Sequence, residues 1–475
     1  MHIRSILMGA AASALVASAA SAERGSDGQV NILYWQAVSI MNPYLSNGTK
    51  DVEAGSLVLE PLARFNENGD MVPYLAQEIP TLENGGVSED LTTITWKLKD
   101  GVVWSDGTPV TAEDAIFSWQ YCTHPEGGCA QSPNYAGVAN VVLKGGGDPA
   151  SAARSVLETG EFDYAWNPQV EPEILAQMLA AGKGELISAF GTLVERILVN
   201  QTDPDPALGD ERSTTAHPHP FLTDVNVSKA LSLAIDREIL VETGYGEAGR
   251  ITCNLVPAPE INASPNNDWC MKQDMAQAAK LLDDAGWVMG SDGVREKDGK
   301  RLSVLYQTST NSVRQAAQAL VKQWWNELGV EVELRNIDAA VFFGADPGSP
   351  DTLQKFYGDI EMFANNFDGT DPEKYLGDWI CAEIPRPETQ WQGGNHPRMC
   401  SEEYDELHAQ LGRVAGAEKR AEIAIKLNDM IVNSGSFIPL AHRGRVSAKS
   451  NALGGVIMNP WDSELWNAAD WHRVQ

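Results

Sequence analysis

Residues 302–334 read LSVLYQTSTNSVRQAAQALVKQWWNELGVEVEL. Leu302-Ser303-Val304-Leu305-Tyr306 has the apolar and aromatic composition of a strand, and the polar run Gln307–Asn311 is a loop. A helix follows from Ser312 to Leu328, with Trp324-Trp325 supplying core contact and Gly329 ending it. Val330, Val332 and Leu334 then alternate as a second strand. Strand, loop, helix and strand make a βαβ unit, which predicts a parallel sheet with a right-handed crossover. Ligands of such sheets sit beyond the carboxyl ends of strands, near helix N-termini. Thr308-Ser309-Thr310-Asn311 occupies that place. Helix capping is its alternative role.

On the N-terminal side, Val227, Ala230, Leu231, Ala234, Ile235 and Leu240 recur at helical spacing after the capping candidate Asn226. A further helix runs from Met275 to Ala285 and stops at Gly286. The chain is α/β from about residue 225. Earlier, Ile94, Trp96 and Leu98 alternate with Thr95 and Lys97, Asp106-Gly107 is a turn, and Thr111 with Asp114 opens a helix over 112–120. On the C-terminal side, Phe437–Leu440 and Gly455–Met458 are expected to return as strands. The glycines at 145–147 read as a turn, because no Lys-Ser/Thr follows to make a phosphate cradle.

A chain of 475 residues is too long for one core. Sixty-five Asp plus Glu against 35 Lys plus Arg leave a net charge of −30, which repels phosphate backbones and excludes a nucleic-acid partner. A hydrophobic fraction of 43% with 14 Trp excludes a disordered chain. No uninterrupted apolar run is long enough to span a bilayer. At the N-terminus Arg4, the apolar stretch Ile6–Ala17 and Ala20-Ser21-Ala22 form a signal-peptide pattern, with Glu23 opening the mature chain. No cysteine stands near that cleavage point, so a lipid anchor is not expected. Export predicts disulfides, and the six cysteines fall into local couples, Cys122/Cys129, Cys253/Cys270 and Cys381/Cys400.

Signatures of catalysis are missing. There is no G-x-S-x-G, H-E-x-x-H or Walker A sequence. His217-Pro218-His219 is the only close histidine pair, and no C-x-x-C spacing suggests zinc. Acidic pairs such as Asp203/Asp205 and Asp283/Asp284 read as solvated faces. Neither a cofactor nor a metal site is expected, and the chain reads as a binding protein rather than an enzyme. A secreted hydrolase with an acidic site is the rival from another class.

Four stretches point to a family. Leu91–Trp119 reads LTTITWKLKDGVVWSDGTPVTAEDAIFSW and closely resembles the signature of the family 5 extracellular solute-binding proteins of ABC importers, which include dipeptide- and oligopeptide-binding proteins. LVLEPLARFNENGDMVPYLAQEIP (57–80) looks like the family's opening segment. VSKALSLAIDREILVETGYGEAG (227–249) and DMAQAAKLLDDAGW (274–287) are similar to two of its helices, and all four occur in the family's order. The resemblance implies a two-lobe α/β fold of the type II periplasmic-binding-protein kind, with the ligand cleft between lobes and two interlobe connections. Lobe one would comprise 23–225 plus 441–475, and lobe two 226–440. The implied function is capture of a peptide-like solute in the periplasm, by a monomer, for delivery to an ABC permease in the membrane. A sugar, an opine or a metal chelate is the alternative solute.

The resemblance also implies contacts. Phe363–Pro372 (FANNFDGTDP) is similar to the region where the family's aspartate grips a peptide's α-ammonium, and Asp368 holds that position beside Asn365, Asn366 and Phe367. Where the dipeptide branch carries an arginine for the ligand carboxylate, this chain has Thr308, followed by Ser309, and Arg314 lies further on within the helix. Trp35 and Ser39 correspond to a strand end that lines the cleft. A second departure lies near residue 140. Tyr135–Val138 runs almost directly into Val141–Leu143, where relatives carry about 100 further residues, comparable to a small domain. This implies either a compact variant or a deletion with impaired binding.

Overall fold

The computed structural model describes residues 32–34, 36–46, 48–89, 94–99, 101–105, 107–108, 110, 114, 117–118, 121 and 149–474. The expected export segment, Trp35, most of the 112–120 helix, the Cys122/Cys129 couple, the junction near 140 and the glycines at 145–147 lie outside them.

Among the described residues eight strands build the central mixed sheet: β1 (Ile32–Tyr34), β2 (Tyr164–Trp166), β3 (Gly184–Val199), β4 (Gly249–Ile251), β5 (Ser303–Ser309), β6 (Glu331–Ile337), β7 (Ile360–Asn365) and β8 (Phe437–Ser450). Their order is β1-β2-β8-β3-β7-β5-β6, with β4 beside β8. The expected βαβ unit is present: β5 and β6 pair in parallel, Ser303 opposite Glu331, and the Ser312–Glu327 helix joins them. β5 runs on to Ser309, past the expected end at Tyr306, because Gln307–Ser309 are paired with Arg335–Ile337.

Alternation along β5 and β7 separates two cores. Val304, Tyr306 and Met362 belong to the first, where Trp325 is fully buried and donates Nε1–H to the Leu231 carbonyl at 2.9 Å. Phe363 faces the second, among Tyr375, Leu376, Trp379 and the helices Glu402–Leu411 and Ala417–Asn433. Burying each large aliphatic or aromatic side chain contributes about 1.5–3 kcal/mol, so these two layers fix the sheet.

The strands β3 and β8, of 16 and 14 residues, pair antiparallel over nearly their whole length. The C-terminal end of β8 also carries β2, while Val194–Val199 of β3 carries β7. Two halves of the sheet are thus joined through β3 and β8. Where they meet, the register of β8 shifts between Pro439 and Ala441 and again between His442 and Gly444. Opposite these shifts, a Cβ on Gly191 would stand 2.0 Å from the Pro460 carbonyl oxygen, so only glycine fits.

Several expectations change. The helix attributed to Asn226 is capped by Asp224, whose side chain accepts from Asn226 N at 2.9 Å. Its apolar pattern spans two helices, Val225–Leu233 and Arg237–Gly244, because Asp236 starts a second cap, accepting from Ile239 N. Ile94 and Leu98 make isolated bridges rather than a strand, and Ile94 is exposed. Gly455–Met458 is irregular, since the C-terminal hairpin uses Leu453–Gly454 instead. Residues 200–219 lie against the β5–β7 half: Asn200 N bonds the Asp359 carbonyl, and His219 meets Asp359 at 2.9 Å. Disulfides Cys253–Cys270 and Cys381–Cys400 form as expected. Among the described residues no cluster could hold a metal ion, and no helix is long and apolar enough to cross a membrane.

Candidate ligand site

The loop after β7 leaves the β5–β7 half and touches the other. Phe367 is buried, stacks on Tyr375 at 5.3 Å, and is clamped by Thr192. The Thr192 hydroxyl donates to the Phe367 carbonyl at 2.6 Å and accepts from its N–H at 3.1 Å. Two residues on, Gly369 N donates to the Trp461 carbonyl at 2.6 Å. Gly369 has φ +77°, and a Cβ there would lie 2.4 Å from the Phe65 ring, so glycine is required for this approach. Asp368 is fixed between these two anchors with its side chain 61% exposed, and Arg445 Nη2 stands 3.6 Å from it.

Arg445, from β8, is itself buried. It donates to the Asp462 carbonyl and lies 3.5 Å from Glu53. Glu53 accepts from Ser463 Oγ at 2.6 Å, and Glu464 accepts from Tyr164 OH at 2.5 Å and from Ser447. Burial pushes the Glu53 carboxyl up to about 8, against the pull of Arg445, and raises Asp462 and Glu464 as well. Acidic groups therefore crowd Arg445 beside the exposed Asp368, with Arg64 3.7 Å from Asp462.

A second ionic cluster sits where Asn311 begins the Ser312–Glu327 helix. Glu195 of β3 receives Arg314 Nε at 2.8 Å and Arg443 Nη1 at 3.1 Å, all three buried. Burial alone would raise the Glu195 carboxyl, but the two guanidiniums outweigh it and hold it low. Arg443 also donates to Asn167 at 3.2 Å, and the Asn311 and Gln169 side chains meet at 2.8 Å. These contacts again join the two halves, since residues 167 and 169 follow β2.

The sequence-derived candidates are distributed unevenly. Asn365 and Asn366 are half-buried at the end of β7, beside Phe367 and Asp368. Thr308 and Ser309 are fully buried: Thr308 Oγ1 donates to the Met362 carbonyl at 2.5 Å, and Ser309 Oγ accepts from Arg314 at 3.0 Å. Asn311 performs the capping role, accepting from Arg314 N at 3.0 Å. Ser39 is exposed and tied to the Thr49–Gly55 helix through Asp51 and Lys50. His217 and His219 bond Glu211 and Asp359. His219 and Asp359 border a recess of about 340 Å³ at the opposite end of β7. Sequence reasoning missed Glu53, Glu195, Arg443 and Arg445. The one available signal was the alternation of Arg443 and Arg445 directly after the apolar run Phe437–Ala441.

The model of the family described as bacterial extracellular solute-binding proteins, family 5, matches residues 70–145 and 131–382, in two pieces that overlap where the shortened junction was read. The Escherichia coli periplasmic murein peptide-binding protein MppA is 22% identical over 62% of this chain and 68% of its own. The Bacillus subtilis oligopeptide-binding protein OppA is 21% identical over 90% and 89%. Among solved structures, Bacillus subtilis AppA in complex with a nonapeptide superposes with a TM-score of 0.75 at 16% identity, covering 94% of this chain and 99% of that one. This protein belongs to the family 5 bacterial extracellular solute-binding proteins.

Proposed function

We propose that this protein captures a peptide-like solute between its two lobes and delivers it to the membrane subunits of an ABC importer. The observation that carries the reading is the loop 365–372, clamped to β3 by Thr192 and docked on Trp461 of the other half, which presents the Asp368 carboxylate where the halves meet. An ammonium group enclosed there gains a charge-assisted hydrogen bond. Relatives named for peptide binding, MppA and OppA, support a peptide over a sugar, opine or metal chelate. The protein acts as a receptor and leaves its solute intact. It works in the periplasm as a monomer, after removal of residues 1–22 and without a lipid anchor.

In this reading the lobes meet within β3 and β8, and the closed form is the one in which loop 365–372 is docked on Phe65 and Trp461. Asn365, Asn366, Phe367 and Asp368 line the lobe-two wall, and Ser39 belongs to the opposite lobe. Thr308 and Ser309 act through β7 and Arg314. The junction near residue 140 marks a compact, binding-competent variant. Mass spectrometry of solutes released from the purified mature chain, followed by calorimetry with the peptides found, tests the proposal. A stoichiometric peptide supports it. A sugar or metal chelate in its place, peptide cleavage, or failure to bind any peptide overturns it.

A further inference from the structure

Two guanidiniums are buried on the second-core face of the sheet without a carboxylate at ion-pair distance among the described residues. Arg196 of β3 is 2% exposed, lies over the Phe363 ring at 4.7 Å, and donates Nη1–H to Tyr375 OH at 2.9 Å. Its Nε has no partner among the described residues. Arg398 is 3% exposed, with Nη2 donating to the Gln354 and Lys355 carbonyls at 2.8 and 3.0 Å and Nη1 to the His396 carbonyl; its Nε is also unpartnered. His396 packs against the same Phe363 ring at 6.0 Å, with Nδ1 unpartnered among the described residues. The nearest acids lie beyond ion-pair distance: Glu361 accepts from Gln307 at Oε1, 2.6 Å away, and leaves Oε2 unpartnered, and burial raises the carboxyls of Glu361 and Asp378 against the pull of Arg398 and Arg196.

An uncompensated buried charge costs several kcal/mol, and water satisfies donors without neutralising them. We infer that Arg196, His396 and Arg398 form a buried site for one small monovalent anion of halide or carboxylate size, one aromatic layer beneath the ligand loop. The Nε donors of both arginines and the Gln354 side-chain amide are the buried polar atoms left to serve it, all without a partner among the described residues. The anion compensates Arg196, whose bond to Tyr375 in turn supports the ring stacked on Phe367. The site stands apart from the solute reading, because none of its residues needs a peptide.

Bromide-soaked crystals of the full chain test it, with an anomalous peak expected beside Arg196 Nε and Arg398 Nε. The thermal midpoint should rise saturably by about 2 °C from gluconate to chloride at constant ionic strength. Arg196→Met, checked for folding by circular dichroism, should lose that response; Arg196→Lys, which keeps the charge but lacks Nε, should weaken it. A peptide bearing Asp or Glu that displaces bromide, where a neutral peptide does not, assigns the site to a ligand carboxylate; bromide retained with both assigns it to a free anion. No anomalous peak, or an unchanged chloride response in folded Arg196→Met, overturns the inference.

Discussion

Arg445 Nη2 lies 3.6 Å from Asp368 Oδ1, bringing a buried β8 cation against the exposed carboxylate of the loop after β7. A ligand ammonium must therefore share Asp368 with a fixed positive charge. Truncating one partner of a buried charge pair costs roughly 2–5 kcal/mol. Asp368 is 61% exposed and already has Arg445, so Asp368→Asn is expected at the low end, about 2 kcal/mol weaker for a peptide. Titration calorimetry checks this; an unchanged dissociation constant would remove Asp368 from the site.

Glu53 makes stability fall as pH rises. Its carboxyl is raised from 4.5 to about 8, so between those values the folded state keeps a proton that the unfolded chain releases. Stability is then greatest below the unfolded value and is lost as pH climbs through the folded one. Glu53→Gln, which stays neutral, should flatten urea-unfolding stability between pH 5 and pH 8. An equally steep fall in the variant would place the burden on Asp462 and Glu464, which burial also raises.

Thr192 holds both backbone polar groups of Phe367. Thr192→Val keeps the shape and orphans both, a loss of about 1–3 kcal/mol in stability. Because Asp368 follows directly, peptide affinity should fall in the same variant through the position of the loop. Unfolding and calorimetry on one preparation separate the two effects; lower stability with full affinity would show that Gly369 and Trp461 alone position the loop.

What was legible in the sequence is what local pattern determines. The 302–334 unit, the Asn311 cap and the glycine stops at 286 and 329 follow from periodicity and φ preference, and both glycines have positive φ. Asp368 came from a motif whose backbone demands are also local, Gly369 above all. Glu195, Arg443 and Arg445 were not legible, because their roles depend on the register of β3 against β8, about 250 residues apart. A sequence shows which residues alternate on a strand, but not which strand lies alongside. The loop expected at Gln307–Asn311 begins later for a related reason: β5 extends through Ser309, so Thr308 and Ser309 are buried in the sheet between β6 and β7.

Glu195 carries the opposite pH signature to Glu53, and the contrast is a direct test of the two clusters. Arg314 and Arg443 hold its carboxyl below the ordinary glutamate value, so its contribution is present above about pH 4.5 and is lost as pH falls through the folded value. Glu195→Gln should therefore destabilise the protein at neutral pH, by about 3–5 kcal/mol for a broken buried ion pair, and this difference should shrink in acid. Glu195→Gln combined with Arg314→Met should recover part of the loss, since one orphaned guanidinium is removed with its partner. A double-mutant cycle by urea unfolding at pH 7 reads the coupling. Additive losses would mean that Arg443 alone balances Glu195, and that Arg314 is held by Ser309 and its helix rather than by charge.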